Sequence, residues 1–206
     1  MREAVTKRNI QSLYHFTKLE NIASIMKNGI IPRNLLDKQG VEYKFNDNIR
    51  LDAQEGSSSF SIEHPNYKLF YRLRKESEAK KQEWVVIGVQ RNVLWDKDCA
   101  FCHDNAASAN VTSIPIAQRK TINAFESMFR PLTGKPSRAE LRLPDSFPTN
   151  PQAEVLVFNT VEPKYLLTLA CENDKLKIEL KKNYPNVNVI KYEHYFMPRF
   201  DHRAWK

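Results

Sequence analysis

The sequence predicts an α+β fold, and three observations carry that prediction. Strand-like and helix-like segments are interleaved without the regular alternation that builds a doubly wound parallel sheet. Two segments, Trp84–Gln90 (WVVIGVQ) and residues 153–158 (AEVLVF), are largely apolar runs of strand length, as deeply buried strands require. No internal repeat, low-complexity tract or Gly/Ser linker divides the 206 residues, so a single domain over 1–206 with a sizeable core is expected.

The elements follow in order. Residues 13–17 (LYHFT) form a short apolar and aromatic run that reads as a strand. Thr17 and Glu20 stand three apart, the spacing of a capping box. Ile22, Ile25 and Met26 then recur at helical spacing and Gly29 stands where a helix stops, which predicts a helix over 18–28. Residues 33–50 are polar, mixed in charge and aperiodic, the mark of a long loop of the kind that is usually functional or mobile. Ser58–Ile62 has strand character, and Pro65 opens a helix that carries Tyr67, Phe70, Tyr71 and Arg74. A helical stretch near 118–129 precedes a proline-rich passage containing Pro131, Pro136, Pro144, Pro148 and Pro151. Strand, helix and strand are expected at 165–170, 172–182 and 187–192.

Composition narrows the function. Lys and Arg number 32 against 24 Asp and Glu, and the resulting net charge of +8 suits an acidic partner, most commonly nucleic acid. With 5 glycines and neither GxGxxG nor GxxxxGKS, a phosphate-bearing ligand is not held in a glycine-rich cradle of either familiar kind. No apolar run approaches the roughly 20 residues of a membrane span, so no membrane partner is expected. The basic start over 1–9 leads into no apolar segment, so no secretory signal is readable and a cytoplasmic location is expected.

Several residues are candidates for chemistry. Residues 99–103 (CAFCH) match the C-x-x-C-H pattern of covalent haem attachment. That attachment takes place in an oxidising compartment, and no export signal accompanies the pattern. Zinc would need two further ligands, and Cys171 is the one other cysteine. Buried or idle thiols, with no metal and no disulfide, are therefore expected.

His15 lies in the aromatic strand Tyr14-His15-Phe16, where a histidine is ordinarily a hydrogen-bonded core residue. Thr17, two residues on, shares its face. Together they would present two hydrogen-bonding side chains from a strand end toward a helix start, which suits a ribose or an amide. Arg50, after the polar loop, reads by itself as a solvated arginine. Glu154 opens an otherwise apolar strand directly after the proline-rich passage; a carboxylate there is paired, exposed at the strand end, or functional. Tyr67 and Tyr71 are i, i+4 neighbours, suited to core packing or to stacking on a flat ligand. The C-terminal HYFMPRFDHRAWK mixes aromatic and basic residues, which fits contact with single-stranded nucleic acid or docking of the terminus by its aromatics.

Leu13-Tyr14-His15-Phe16-Thr17, the helix ending at Gly29, Arg50 and Ala153-Glu154-Val155-Leu156-Val157 occur in that order and together resemble the DarT family. These are DNA ADP-ribosyltransferase toxins of bacterial toxin–antitoxin systems. The resemblance implies the ADP-ribosyltransferase fold, with a split mixed β-sheet core and flanking helices, and NAD as co-substrate without a metal. It implies that His15 and Thr17, with the backbone around Phe16, contact NAD at its nicotinamide end, and that Tyr71 packs near the nicotinamide. Residues 33–50 would fold over the dinucleotide, with Arg50 closing that loop as an arginine needed for catalysis. Glu154 would be the catalytic glutamate, and residues from about 104 to 153 would present the acceptor base. Single-stranded DNA is the implied partner, with RNA as an alternative, and a macrodomain antitoxin would remove the modification. Residues 59–67 depart from the form of the thymidine-modifying members, which leaves the target base open.

The residue types suit that chemistry. Breaking the bond between ribose and nicotinamide builds positive charge on the sugar, as in glycoside hydrolysis. A carboxylate beside the ribose stabilises that charge and can take the acceptor's proton. An arginine suits the pyrophosphate. Two rival readings remain. One is a same-fold enzyme that modifies RNA or protein, or moves a phosphate from RNA to NAD. The other is a basic nucleic-acid-binding module in which Glu154 and His15 are structural and NAD does not bind.

Overall fold

The computed structural model describes residues 1–39, 54, 56–79 and 81–205. Its strands are β1 (Ser12–Lys18), β2 (Ser58–Ile62), β3 (Trp84–Gln90), β4 (Cys99–Cys102), β5 (Glu154–Val157), β6 (Leu166–Cys171) and β7 (Asn188–Lys191). The first four helices are α1 (Arg2–Lys7), α2 (Ile22–Asn28), α3 (Arg33–Gln39) and α4 (Tyr67–Glu78). Short helices α5 (Val93–Asp96), α6 (Ala109–Thr112), α7 (Ile116–Arg119) and α8 (Ile122–Ser127) precede α9 (Asp174–Asn183). The strands form one mixed sheet in the order β4-β5-β2-β1-β3-β6-β7, antiparallel except for the parallel pair β6–β7. The predicted α+β class, a mixed sheet with flanking helices, is what the chain adopts.

Alternation along the strands sorts the core onto two faces. Leu13, Val85, Ile87 and Val89 face one side with Phe60, Val155 and Leu169, where Ile22 and Ile25 of α2 and Leu176 and Leu180 of α9 pack on them. Tyr14, Phe16, Trp84 and Val86 face the other side, against Phe70 and Leu73 of α4 and Phe196 from the C-terminal segment. The α4 stripe is what its sequence dictates: Phe70 and Leu73 are three apart, and Asn66 accepts the Leu69 N–H to close the helix start.

The sheet divides at β2. Its C-terminal half pairs with β1 (Leu13 opposite Ile62, Tyr14 opposite Ser61), whereas Ser58, Ser59 and Phe60 pair with β5. Beyond Tyr14 the described β1–β2 ladder ends, while β1 stays paired with β3 along its full length, from Ser12 opposite Gln90 to Lys18 opposite Trp84.

Several local expectations are corrected. Thr17 does not cap a helix; it is held in β1 opposite Val85, and its buried hydroxyl accepts from Asn21 Nδ2 at 2.9 Å. The chain then makes a 3-10 turn over Leu19–Asn21, and α2 begins at Ile22 rather than at 18. The stop at Gly29 is as expected: its φ of +86° and a Cβ that would sit 2.4 Å from Val161 O leave room for glycine alone. Residues 33–39 of the expected loop are helical, and 40–50 lie outside the described residues. The helix expected near 118–129 is two short ones, α7 and α8, broken where Thr121 leaves the helix to cap α8 through Ala124 N–H. The CAFC run is a buried strand, β4, which sequence reading left unassigned. Its two cysteines and Cys171 are buried and form no disulfide with one another, and burial pushes the Cys99 thiol up to about 12. Among the described residues no group of three or more His, Cys, Asp or Glu could hold a metal ion, and no helix is long and apolar enough to cross a membrane.

Candidate active site

Glu154 is the first residue of β5 and only 5% exposed, between the edge strand β4 and β2. Opposite Cys102 in the ladder, it shares a face with Leu156 and Ser61, the face against which α4 packs. A carboxylate at this depth must be bonded to remain ionised. Glu154 Oε2 accepts the Ala106 N–H at 2.8 Å, and Oε1 accepts from Asn66 Nδ2 at a longer 3.4 Å.

Asn66 is fully buried and oriented by three contacts at once. Its N–H donates to Ser61 Oγ at 2.9 Å, its Oδ1 caps α4, and its Nδ2 is thereby turned toward Glu154. The positive end of the α4 dipole also lies here, which favours a negative charge. On α7, the buried Arg119 reaches the Cys102 thiol at 3.9 Å and puts a cation beside the strand partner of Glu154.

Residues 104–153 leave the sheet at β4 and return at Glu154, and both ends are tied. Asp104 Oδ1 accepts from Asn150 Nδ2 at 2.8 Å, and the Ala106–Glu154 bond closes the stem above it. Farther out, Arg138 donates to Phe147 O (2.9 Å), Thr149 Oγ1 (2.8 Å) and Pro144 O (2.8 Å). From the C-terminal segment, Arg199 donates to Pro148 O at 2.8 Å and Thr149 O at 2.9 Å while paired with the buried Asp201 at 2.6 Å. Burial works against the Asp201 charge, but the bonds from Arg199 and Trp205 hold its carboxyl below the usual carboxylate value.

At the split in the sheet, His15 Nδ1 donates to Ser59 O at 2.9 Å, taking a carbonyl that a continued β1–β2 ladder would have bonded, and its ring meets Phe60 at 5.4 Å. This bond puts the proton on Nδ1 of the neutral ring. His15 and Thr17 share the face of Leu13, whereas Glu154 shares that of Ser61, so the two sets approach from opposite sides of the parted strands. Phe16 stacks on Phe70 at 4.5 Å, fixing the backbone between His15 and Thr17 against α4. Tyr71, in contrast to the buried Tyr67, is 59% exposed on α4, with Lys75 5.9 Å from its ring. Arg50 lies outside the described residues.

Sequence reading missed Asn66, Ala106, Arg119 and Arg199. Asn66 had a signal, an Asn directly after Pro65 and before a helical pattern, which is an N-cap signature. Ala106 acts through its backbone and Arg119 through a tertiary contact, so neither carries one.

The comparisons with known proteins agree on one family. The family model described as "ssDNA thymidine ADP-ribosyltransferase, DarT" matches residues 14–202. A curated relative, the "DNA ADP-ribosyl transferase-DNA ADP-ribosyl glycohydrolase fusion protein" of Thermosipho africanus (strain H17ap60334), is 22% identical over 190 residues, covering 87% of this chain and 47% of the relative. The chain thus spans about half the length of the curated relative it matches. Among solved structures, Thermosipho africanus DarTG in complex with ADP-ribose superposes with a TM-score of 0.64 at 20% identity, over 90% of this chain and 51% of that one. Thermus sp. 2.9 DarT in complex with NAD+ gives 0.55 at 12% identity, over 91% and 98%. The same protein with ADP-ribosylated ssDNA gives 0.51 at 12% identity, over 92% and 97%. These superpositions agree on the fold, and because the family match runs through both β1 with His15 and β5 with Glu154, the chain belongs to the DarT family of ssDNA thymidine ADP-ribosyltransferases.

Proposed function

We propose that this chain transfers one ADP-ribose from NAD to a thymidine base of single-stranded DNA, with Glu154 as its catalytic carboxylate. The observation that carries the reading is Glu154 itself: a buried carboxylate at a strand start, held by the Ala106 N–H and the Asn66 amide, within a chain matched almost throughout to this family. NAD supplies a glycosidic bond whose cleavage leaves positive charge on the ribose while nicotinamide departs with the bonding electrons. Glu154 stabilises that charge and takes the proton displaced when the base nitrogen bonds the sugar carbon. His15, Thr17 and the backbone at Phe16 bind the nicotinamide end beside the split in the sheet, Tyr71 borders it, and Arg50 neutralises the pyrophosphate. Residues 104–153 present the base, which a single strand offers without the cost of unpairing a duplex.

The biological role proposed with this chemistry is that of a toxin acting in the cytoplasm and reversed by a macrodomain antitoxin. The Thermosipho relative, whose name joins a DNA ADP-ribosyl transferase to a DNA ADP-ribosyl glycohydrolase, supports that pairing.

The test is incubation with labelled NAD and separate DNA and RNA oligonucleotides, followed by mass spectrometry. One ADP-ribose on thymidine of single-stranded DNA is expected. In Glu154→Gln the rate should fall on the order of 10²–10³-fold or more with an unchanged melting curve. Retained turnover would remove Glu154 from its role. Label on guanine or on RNA alone would change the target, and absence of NAD binding would favour the basic binding module. Arg50→Ala should also abolish transfer.

A further inference from the structure

The C-terminal segment does more than close the fold. Phe200 is 57% exposed, yet it is flanked by Arg199 and Asp201, both buried and locked to each other and to the carbonyls of Pro148 and Thr149. An exposed phenylalanine on such a rigid mount keeps its ring in solvent without the freedom of an ordinary surface side chain. Among the described residues its ring neighbour is Phe147, 6.1 Å away and edge-on, which belongs to the 104–153 passage that returns to Glu154. Cations lie along the same C-terminal segment. Lys135 bonds Ala204 O at 3.0 Å with its ammonium 5.3 Å from the Trp205 ring, and Arg203 is exposed. Lys68, in the first turn of α4, donates from Nζ to Trp205 O and ties this segment to the helix start two residues from Asn66, the donor to Glu154.

We propose that Phe200 and Phe147 form a stacking platform for a base flanking the modified nucleotide, with Lys135 and Arg203 on the adjacent phosphates. A fixed aromatic face beside cations is what single-stranded nucleic acid uses, because every base has a face to stack and a phosphate at each step. The platform rests on the reading of single-stranded DNA as substrate, but it contributes to binding and not to the chemical step.

The experiment compares the full chain with Phe200→Ala and Phe200→Trp, using a fluorescent single-stranded DNA oligonucleotide and a thymidine trinucleotide. Direct binding is measured first, then transfer from NAD. Phe200→Ala should weaken binding of the long oligonucleotide about tenfold and raise its KM by a similar factor, with kcat unchanged. Phe200→Trp should restore both, since it keeps the stacking face. Binding of an oligonucleotide with an abasic residue beside the thymidine should be indifferent to Phe200→Ala. Lys135→Ala and Arg203→Ala should each lower the salt dependence of binding by about one released ion. Equal binding by Phe200→Ala and the unchanged chain, or failure of Phe200→Trp to restore it, would overturn the platform. Binding without transfer by the unchanged chain would instead overturn the proposed activity while leaving the platform standing.

Discussion

The two sides of the candidate site are built by different means. On the β1 side, His15 and Thr17 sit in a strand paired residue by residue with β3, so the backbone ladder fixes their positions. On the β5 side, Glu154 is also in a ladder, but the residues around it are placed by side chains: Asn66 at a helix cap, Asp104 with Asn150 across the stem, Arg138 and Arg199 on carbonyls of the irregular passage. A ladder distributes position over many equivalent bonds, and removing one side chain leaves the strand in place. Where a few arginines satisfy the buried carbonyls of an irregular segment, each is close to indispensable, because an orphaned buried acceptor costs far more than an average hydrogen bond contributes. The β5 side should therefore be the fragile one.

The largest effect is expected at Arg199. Replacing it by Met leaves the Asp201 carboxylate buried without its counter-charge and Pro148 O and Thr149 O without donors. Loss of one partner of such a pair costs about 3–5 kcal/mol, to be read by chemical denaturation. The pair also predicts a pH dependence. The Asp201 carboxyl titrates lower in the folded chain than in the unfolded one, so its contribution is present above the unfolded value of about 3.9 and is lost as pH falls through the folded one. Asp201→Asn should flatten that acid limb. A loss below about 1 kcal/mol in Arg199→Met would mean that the passage holds itself, and the contrast between the two sides would fail.

How far the sequence reveals each side follows the same division. The β1 strand, the stop at Gly29, β3 and β5 are legible because periodicity and glycine placement report ladders and helix ends directly. Glu154 was legible for the same reason, as a carboxylate interrupting an apolar strand pattern. The helix start at Ile22 was misread because the partner that keeps Thr17 extended, Val85, is 68 residues away in the chain. The CAFC strand was obscured by a motif that drew attention to its cysteines rather than to its apolar run. In the 104–153 passage a helical stretch near 118–129 and the prolines were visible, but not what holds them in place. Its order comes from arginines bonded to backbone carbonyls, and a carbonyl has no letter in the sequence.

A smaller effect, on rate rather than stability, should follow at Asn66. Asn66→Asp keeps an oxygen for the α4 cap but replaces the donor to Glu154 Oε1 with a second carboxylate. Like charges at this distance raise one of the two pKa values. Glu154 then holds a proton when it should be ionised, so kcat should fall about 10- to 100-fold. The pH–rate profile should shift to higher pH, whereas KM for NAD should change little. A fall in stability with an unshifted profile would leave Asn66 as a helix cap alone.

The smallest effect belongs to the ladder side, and Thr17→Val measures it. Valine matches the shape of threonine and keeps the strand preference, so the pairing with Val85 persists. What disappears is the hydroxyl that accepts from Asn21 Nδ2, a bond whose loss costs about 1 kcal/mol. If Thr17 also meets the nicotinamide end of NAD, KM for NAD should rise several-fold while KM for DNA is unchanged, and Phe200→Ala should give the reverse pattern. That crossing of the two KM effects is the sharpest form of the contrast, because it ties each side of the site to one substrate. A Thr17→Val variant with the same KM for NAD as the unchanged chain would reduce Thr17 to a structural hydroxyl and leave the split in the sheet to His15 alone.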